Sequence, residues 1–168
     1  MADKPLRLDG YLPYLINRAG ISLANHFGNV LRRAGVSLQD WRVLAALRER
    51  GGLRLTELAA RTSIEISTLS RLVGSMETAG LVSRERDSDD ARAIAIRLTE
   101  AGDALTARLT PEAEALERTA LAGFSEAEAS QLKTQLERLY GNLAAVAEGG
   151  EDDGEDATPP RPATRRRP

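Results

Sequence analysis

The chain of 168 residues contains no cysteine and a single histidine, His26. Without cysteine there are no disulfides, no thiolate zinc site and no cysteine-based redox sensing, which fits a reducing cytoplasm, the expected location. With one histidine a multi-histidine metal site is untenable, so no metal is expected. No apolar run is long enough for a signal peptide or a membrane span. A glycine-rich phosphate loop and a nucleophile with a histidine base are also missing, so neither an enzymatic role nor a cofactor has residues to rest on. Aromatic residues are scarce at 4%. Ala, Leu, Glu and Arg dominate instead, and a mainly helical protein follows.

Charge of one sign is not in excess either. The formal net charge is −2. The segment from Glu148 to Pro168, with six acids against four arginines, accounts for all of it and leaves residues 1–147 neutral. DNA-binding domains are commonly basic, so the total argues weakly against one. A neutral body still binds DNA if its arginines converge on one face.

Apolar residues from Leu12 through Leu31 recur at spacings of three and four, predicting a helix over Asp9–Ala34 closed by Gly35. Ser37 and Asp40 form a capping box for a second helix that stops at Gly51-Gly52. A short helix begins at Thr56, turns through Ser63 and Ile64, and leads to another over Ile66–Thr78, closed by Gly80. Leu81–Asp87 and Arg92–Leu98 alternate as strands around Ser88-Asp89-Asp90, a hairpin too small to stand alone. Thr99 caps a long helix in which Pro111 either makes a kink or starts a new segment. Ser125 and Glu128 cap a last helix, striped by Leu132, Leu136, Leu139, Leu143 and Val146. Beyond Glu148 the chain is Gly, Pro and charge, and is expected to be disordered. Its terminal arginines add a phosphate contact or are simply solvated.

Residues 55–81 have helix-turn-helix spacing. Leu58, Ala59, Ile64, Leu69 and Leu72 fall at its buried positions, and Ser63 replaces the turn glycine. Ser67, Thr68, Ser70 and Arg71 then point outward in the first half of the second helix, where base edges are met. Hydroxyls contact phosphates or bases, and arginine chelates guanine. A solvated helix beginning with serines would look the same; the hairpin that follows decides for DNA. At its tip Arg92 suits a narrow minor groove, and Asp90 is placed to hold that guanidinium, while Arg84 on the first strand meets backbone phosphate.

The pattern D-x-R-x-x-x-x-x-L-T-x-x-G, filled by Asp90, Arg92, Leu98, Thr99 and Gly102, resembles the wing of the MarR family of winged helix-turn-helix regulators. STLSRLVGSMETAGLVSR resembles that family's recognition helix and following strand. The likeness spans roughly residues 9–147 and is most specific over 37–102. It implies a mainly α protein with a small β-hairpin, in which residues 1–36 and 99–147 form a dimerisation domain around a DNA lobe at 37–98, with 148–168 as a tail. It also implies a homodimeric repressor that binds double-stranded DNA at a palindromic operator. A small effector, an aromatic acid or its thioester, would release it from a pocket where the first helix, the second helix and the long post-wing helix meet. Tyr11, Tyr14, Arg18, His26, Trp41 and Arg42 are the candidates there, with Arg18 or Arg42 pairing a carboxylate. Trp41 and Tyr14 serve equally as core, and Arg42 as a surface ion pair. A constitutive, nucleoid-like DNA-binding protein without an effector is the alternative reading.

Replacing Arg92 with Ala is expected to weaken operator binding about tenfold, ~1.4 kcal/mol. Fluorescence anisotropy on a labelled duplex measures it, and unchanged binding would remove the wing from the interface.

Overall fold

The computed structural model describes residues 6–86 and 93–149. Among these, six α-helices and one antiparallel hairpin follow in the order α1 (Leu12–Arg33), α2 (Leu38–Arg50), α3 (Leu55–Thr62), α4 (Ile66–Thr78), β1 (Val82–Arg86), β2 (Ile94–Leu98), α5 (Glu100–Ala120) and α6 (Glu126–Gly149). The architecture is a winged helix-turn-helix, as the sequence pattern implies. Among the described residues, α1 to α5 form one compact unit and α6 belongs to another.

Local chemistry sets most boundaries. Helix α1 starts at Leu12 rather than Asp9; Leu8–Gly10 is a separate 3-10 turn, and Pro13 sits at the second helical position, where a missing N–H costs nothing. The α2 capping box is complete, with the Asp40 amide donating to Ser37 Oγ at 3.1 Å and the Ser37 amide to Asp40 Oδ2 at 2.7 Å. Gly51 ends α2 at φ 77°, a left-handed conformation that favours glycine. Helix α5 runs unbroken through Pro111. Of the two expected outcomes a new segment is thereby excluded: one missing amide is absorbed within a long helix, and Thr110 Oγ1 donates to the Thr106 carbonyl at 2.9 Å one residue before it.

The hairpin pairs Val82 with Leu98 through to Arg86 with Ile94. It is broader than a two-stranded reading, because Leu53 bridges Ile96 with amide–carbonyl bonds of 3.1 and 2.8 Å. The turn at 87–92, including Asp90 and the wing arginine Arg92, lies outside the described residues, as does the tail from 150.

Two apolar clusters hold the first unit. Val43, Leu44, Leu47, Leu58, Leu69 and Val73 are the centre of the larger, which joins α2, α3, α4 and the hairpin. Phe27, Leu31, Val36 and Leu109 form the smaller, where α1 and α5 meet, with Trp41 edge-on to Phe27 at 5.3 Å. Fully burying one such aliphatic side chain stabilises the fold by roughly 1.5–3 kcal/mol, so the two clusters dominate the energetics.

The joint between the helix-turn-helix and α5 is the tightest contact. Thr99 donates its amide to the Leu81 carbonyl at 3.1 Å and its hydroxyl to the Gly80 carbonyl at 2.6 Å, while accepting the Gly102 amide at 3.1 Å. A Cβ on Gly102 would stand 2.0 Å from the Leu81 carbonyl oxygen. Backbone fills that space, so no rotamer relieves the clash. Gly102→Ala is expected to cost at least about 2 kcal/mol in chemical denaturation. Gly74→Ala, in the interior of α4 with nothing within 4 Å of its Cβ, is the control and should gain about 0.5–1 kcal/mol. Equal effects at the two positions would refute the close-approach argument.

Candidate nucleic-acid interface

The α3–α4 corner is built around Ser63, whose φ of 53° and ψ of 35° are left-handed. A turn glycine would adopt this freely; serine adopts it at a cost of roughly 1–2 kcal/mol. Leu58 and Ile64 on one side and Leu69, Val73 and Met76 on the other bury the inner faces, and the expected small residue at Ala59 is partly buried with Leu72. The spacing of 69, 73 and 76 leaves the opposite face outward. Ser67, Ser70 and Arg71 are exposed along it, and Thr68 is half-buried. The helix thus brings together the four residues expected on it.

Glu65 at the N-cap of α4 is absent from the sequence-derived candidates. Its carboxylate accepts the Ser67 amide at 2.8 Å, the Thr68 amide at 2.9 Å and the Ser67 hydroxyl. These bonds, the Ser67 hydroxyl foremost, lower its pKa to about 2, so the group is anionic at neutral pH. An acid directly before Ile-Ser-Thr at a predicted helix start was the available signal.

On the hairpin, Arg84 is ion-paired with Glu77 of α4 at 3.1 Å, which ties β1 to the helix; as an exposed pair it adds little stability. Arg97, also unforeseen, donates from Nη1 to the Gly51 carbonyl at 2.7 Å and lies 3.5 Å from Glu85. Gly52 makes room for it, since a Cβ there would meet the guanidinium at 3.0 Å. One side chain thereby fastens the base of the wing to the end of α2. Asp90 and Arg92 fall outside the described residues.

The candidate effector residues are not gathered in one place. The corner of α1, α2 and α5 holds the cluster of Phe27, Leu31, Val36 and Leu109. Tyr11, Tyr14, Arg18 and His26 are exposed on or beside α1, and His26 Nδ1 lies 2.8 Å from the Ser22 carbonyl. Trp41 and Arg42 instead line an open cleft of about 490 Å³ beside Arg61 and Ser63, where Glu49 accepts both Arg61 bonds at 2.7 Å. A second cleft of about 530 Å³ lies between α2 and α5, lined by Trp41, Ala45, Arg48, Glu49, Thr106, Ala107, Thr110 and Pro111. Arg48 there is 3.4 Å from Asp103. Among the described residues no group of His, Cys, Asp or Glu is arranged to hold a metal ion, and no helix is long and apolar enough to cross a membrane.

A recognition helix with an outward polar face, followed by a hairpin wing, defines a DNA-binding transcription regulator. Comparison with known proteins gives the family. The MarR family model matches residues 34–93. The homoprotocatechuate degradative operon repressor of Escherichia coli is 31% identical over 115 residues, covering 68% of this chain and 78% of that one. The repressor IacR of Pseudomonas putida is 25% identical over 145 residues, 86% and 87% of the two chains. A MarR family regulator from Silicibacter pomeroyi superposes with a TM-score of 0.74 at 31% identity, covering 83% of this chain and 97% of that chain. This chain belongs to the MarR family, whose members named here are transcriptional regulators rather than enzymes.

Arg71→Ala is expected to lower affinity for a selected operator roughly 5–150-fold, about 1–3 kcal/mol, and to relax preference at one base pair per half-site. Binding to a scrambled duplex should change little. An equal loss on both duplexes would assign Arg71 to phosphate instead.

Proposed function

We propose that this protein is a homodimeric repressor that sits on a palindromic operator and leaves it when a small ligand carrying a carboxylate, an aromatic acid or its thioester, binds. The observation that carries the reading is the outward face of α4, with Ser67, Ser70 and Arg71 exposed on a helix whose other side is locked into the core. Thr68 on α4, Arg84 on β1 and the wing residues Asp90 and Arg92 complete the proposed DNA contacts.

Dimerisation is supported by apolar surface. Tyr11, Leu12, Leu15 and Ile21 are exposed at the start of α1, and Leu132, Leu136, Tyr140, Leu143 and Val146 are exposed at helical spacing on α6. Contiguous apolar faces of this kind mark an interface in a water-soluble chain. We assign residues 1–36 and 99–147 to the dimer and 37–98 to the DNA lobe. A two-fold dimer presents two copies of α4, and a palindrome is the matching sequence symmetry.

The cleft between α2 and α5 supports a ligand. Arg48 supplies a cation that a ligand carboxylate would share with Asp103, Trp41 supplies an aromatic edge, and Pro111 lacks the N–H that would otherwise serve the Ala107 carbonyl. Of the earlier candidates, Trp41 stays in this role and Arg42 belongs to the neighbouring cleft. The name of the Escherichia coli relative, which refers to degradation of an aromatic acid, agrees with the ligand class.

Leu136→Glu combined with Leu143→Glu should convert a dimer to a monomer in size-exclusion chromatography with light scattering and abolish operator binding. A wild-type monomer would overturn the reading. Aromatic carboxylates should raise the melting temperature of the wild type and release DNA, and Arg48→Ala should blunt both responses. Operator binding indifferent to every such acid would favour the constitutive alternative.

A further inference from the structure

The start of α4 has a property beyond its exposure. A serine hydroxyl has one proton to donate and two lone pairs to accept with, and as a free rotor it suits phosphates and bases alike. Ser67 is not free in this way. Its hydroxyl donates to Glu65, and Glu65 is held in position by the Ser67 and Thr68 amides at 2.8 and 2.9 Å. Hydrogen bonds to an ionised carboxylate are the strong ones, so the serine proton is committed.

We propose that Glu65 fixes the hydrogen-bond polarity of Ser67, making it an acceptor that reads an amino group on a base edge, adenine N6 or cytosine N4, and closing this end of α4 to phosphate. The inference rests on the reading that α4 enters the major groove. A phosphate arriving at this helix end finds two amides and one hydroxyl already taken and a carboxylate in front of them. By contrast, an exocyclic amino group finds the lone pairs of Ser67 Oγ and the remaining lone pairs of Glu65, both exposed. In the major groove those amino groups are the donors offered by adenine and cytosine, whereas guanine and thymine offer acceptors. Glu65 is thus a positioning residue for base readout, acting through Ser67.

The test starts by selecting operators from random duplexes with the wild type, S67A and E65S. Serine is itself a strong N-cap, so E65S keeps α4 while releasing the Ser67 proton, and S67A leaves the Glu65 cap in place. Circular dichroism checks both folds. The wild type is expected to favour A or C over G or T on one strand at one position per half-site, by about tenfold, with both variants reducing this to about twofold. E65S should also bind random duplex several-fold more tightly with a steeper salt dependence, since a phosphate can then approach. At the affected position, replacing adenine by purine, which lacks the amino group, should weaken the wild type but not S67A. Replacing the opposing thymine by 5-methylpyrimidin-2-one, which lacks O4, should affect the two alike.

Unchanged motifs for S67A and E65S, or wild-type sensitivity to the loss of O4 in place of the amino group, would overturn the proposal. If R71A alters the selected motif in the same experiment while these two variants do not, the proposal alone fails. If none of the three alters it, the α4 reading fails with it.

Discussion

The fold depends on a backbone contact with no side chain in it. The first turn of α5 lies so close to the Leu81 carbonyl that only a hydrogen fits at Gly102. Thr99 sews the same joint from within, bonding the Gly80 and Leu81 carbonyls and capping α5. This contact sets where α5 leaves the wing and how α5 lies against α1 and α2. The smaller core of Phe27, Leu31, Val36 and Leu109 lies further along the same helix, where α5 meets α1. The L-T-x-x-G end of the family motif is therefore an assembly signal.

Much of this was legible because the decisive signals were local. Caps at Ser37, Asp40 and Thr99, the glycine after α2 and the alternation around the hairpin are read from neighbours in sequence, and each stands where the spacing placed it. What escaped the sequence depends on tertiary approach. Leu53 joins the hairpin only because Gly51-Gly52 turns the chain towards Ile96, so the dipeptide was read as a stop alone. Arg97 bonds Gly51, 46 positions away in sequence, and no periodicity announces that. Glu65 is the exception, a local feature whose acid stands at an N-cap, directly before the hydroxyl run of α4.

The near-neutral charge also finds an explanation. Arg48, Arg61 and Arg97 each lie opposite an acid and tie elements to one another. Arg71 has an outward, exposed place on α4.

Arg97 has a consequence for motion. Its guanidinium grips the last carbonyl turn of α2 while its backbone is part of β2, so the helix end and the wing base share one fastening. α2 also walls both clefts, through Trp41, Ala45 and Glu49. A tilt of α2 would be felt at the base of the wing through this 2.7 Å bond. Arg97 thus adds a side-chain tie to the backbone bonds by which Leu53, just past α2, holds Ile96 of β2.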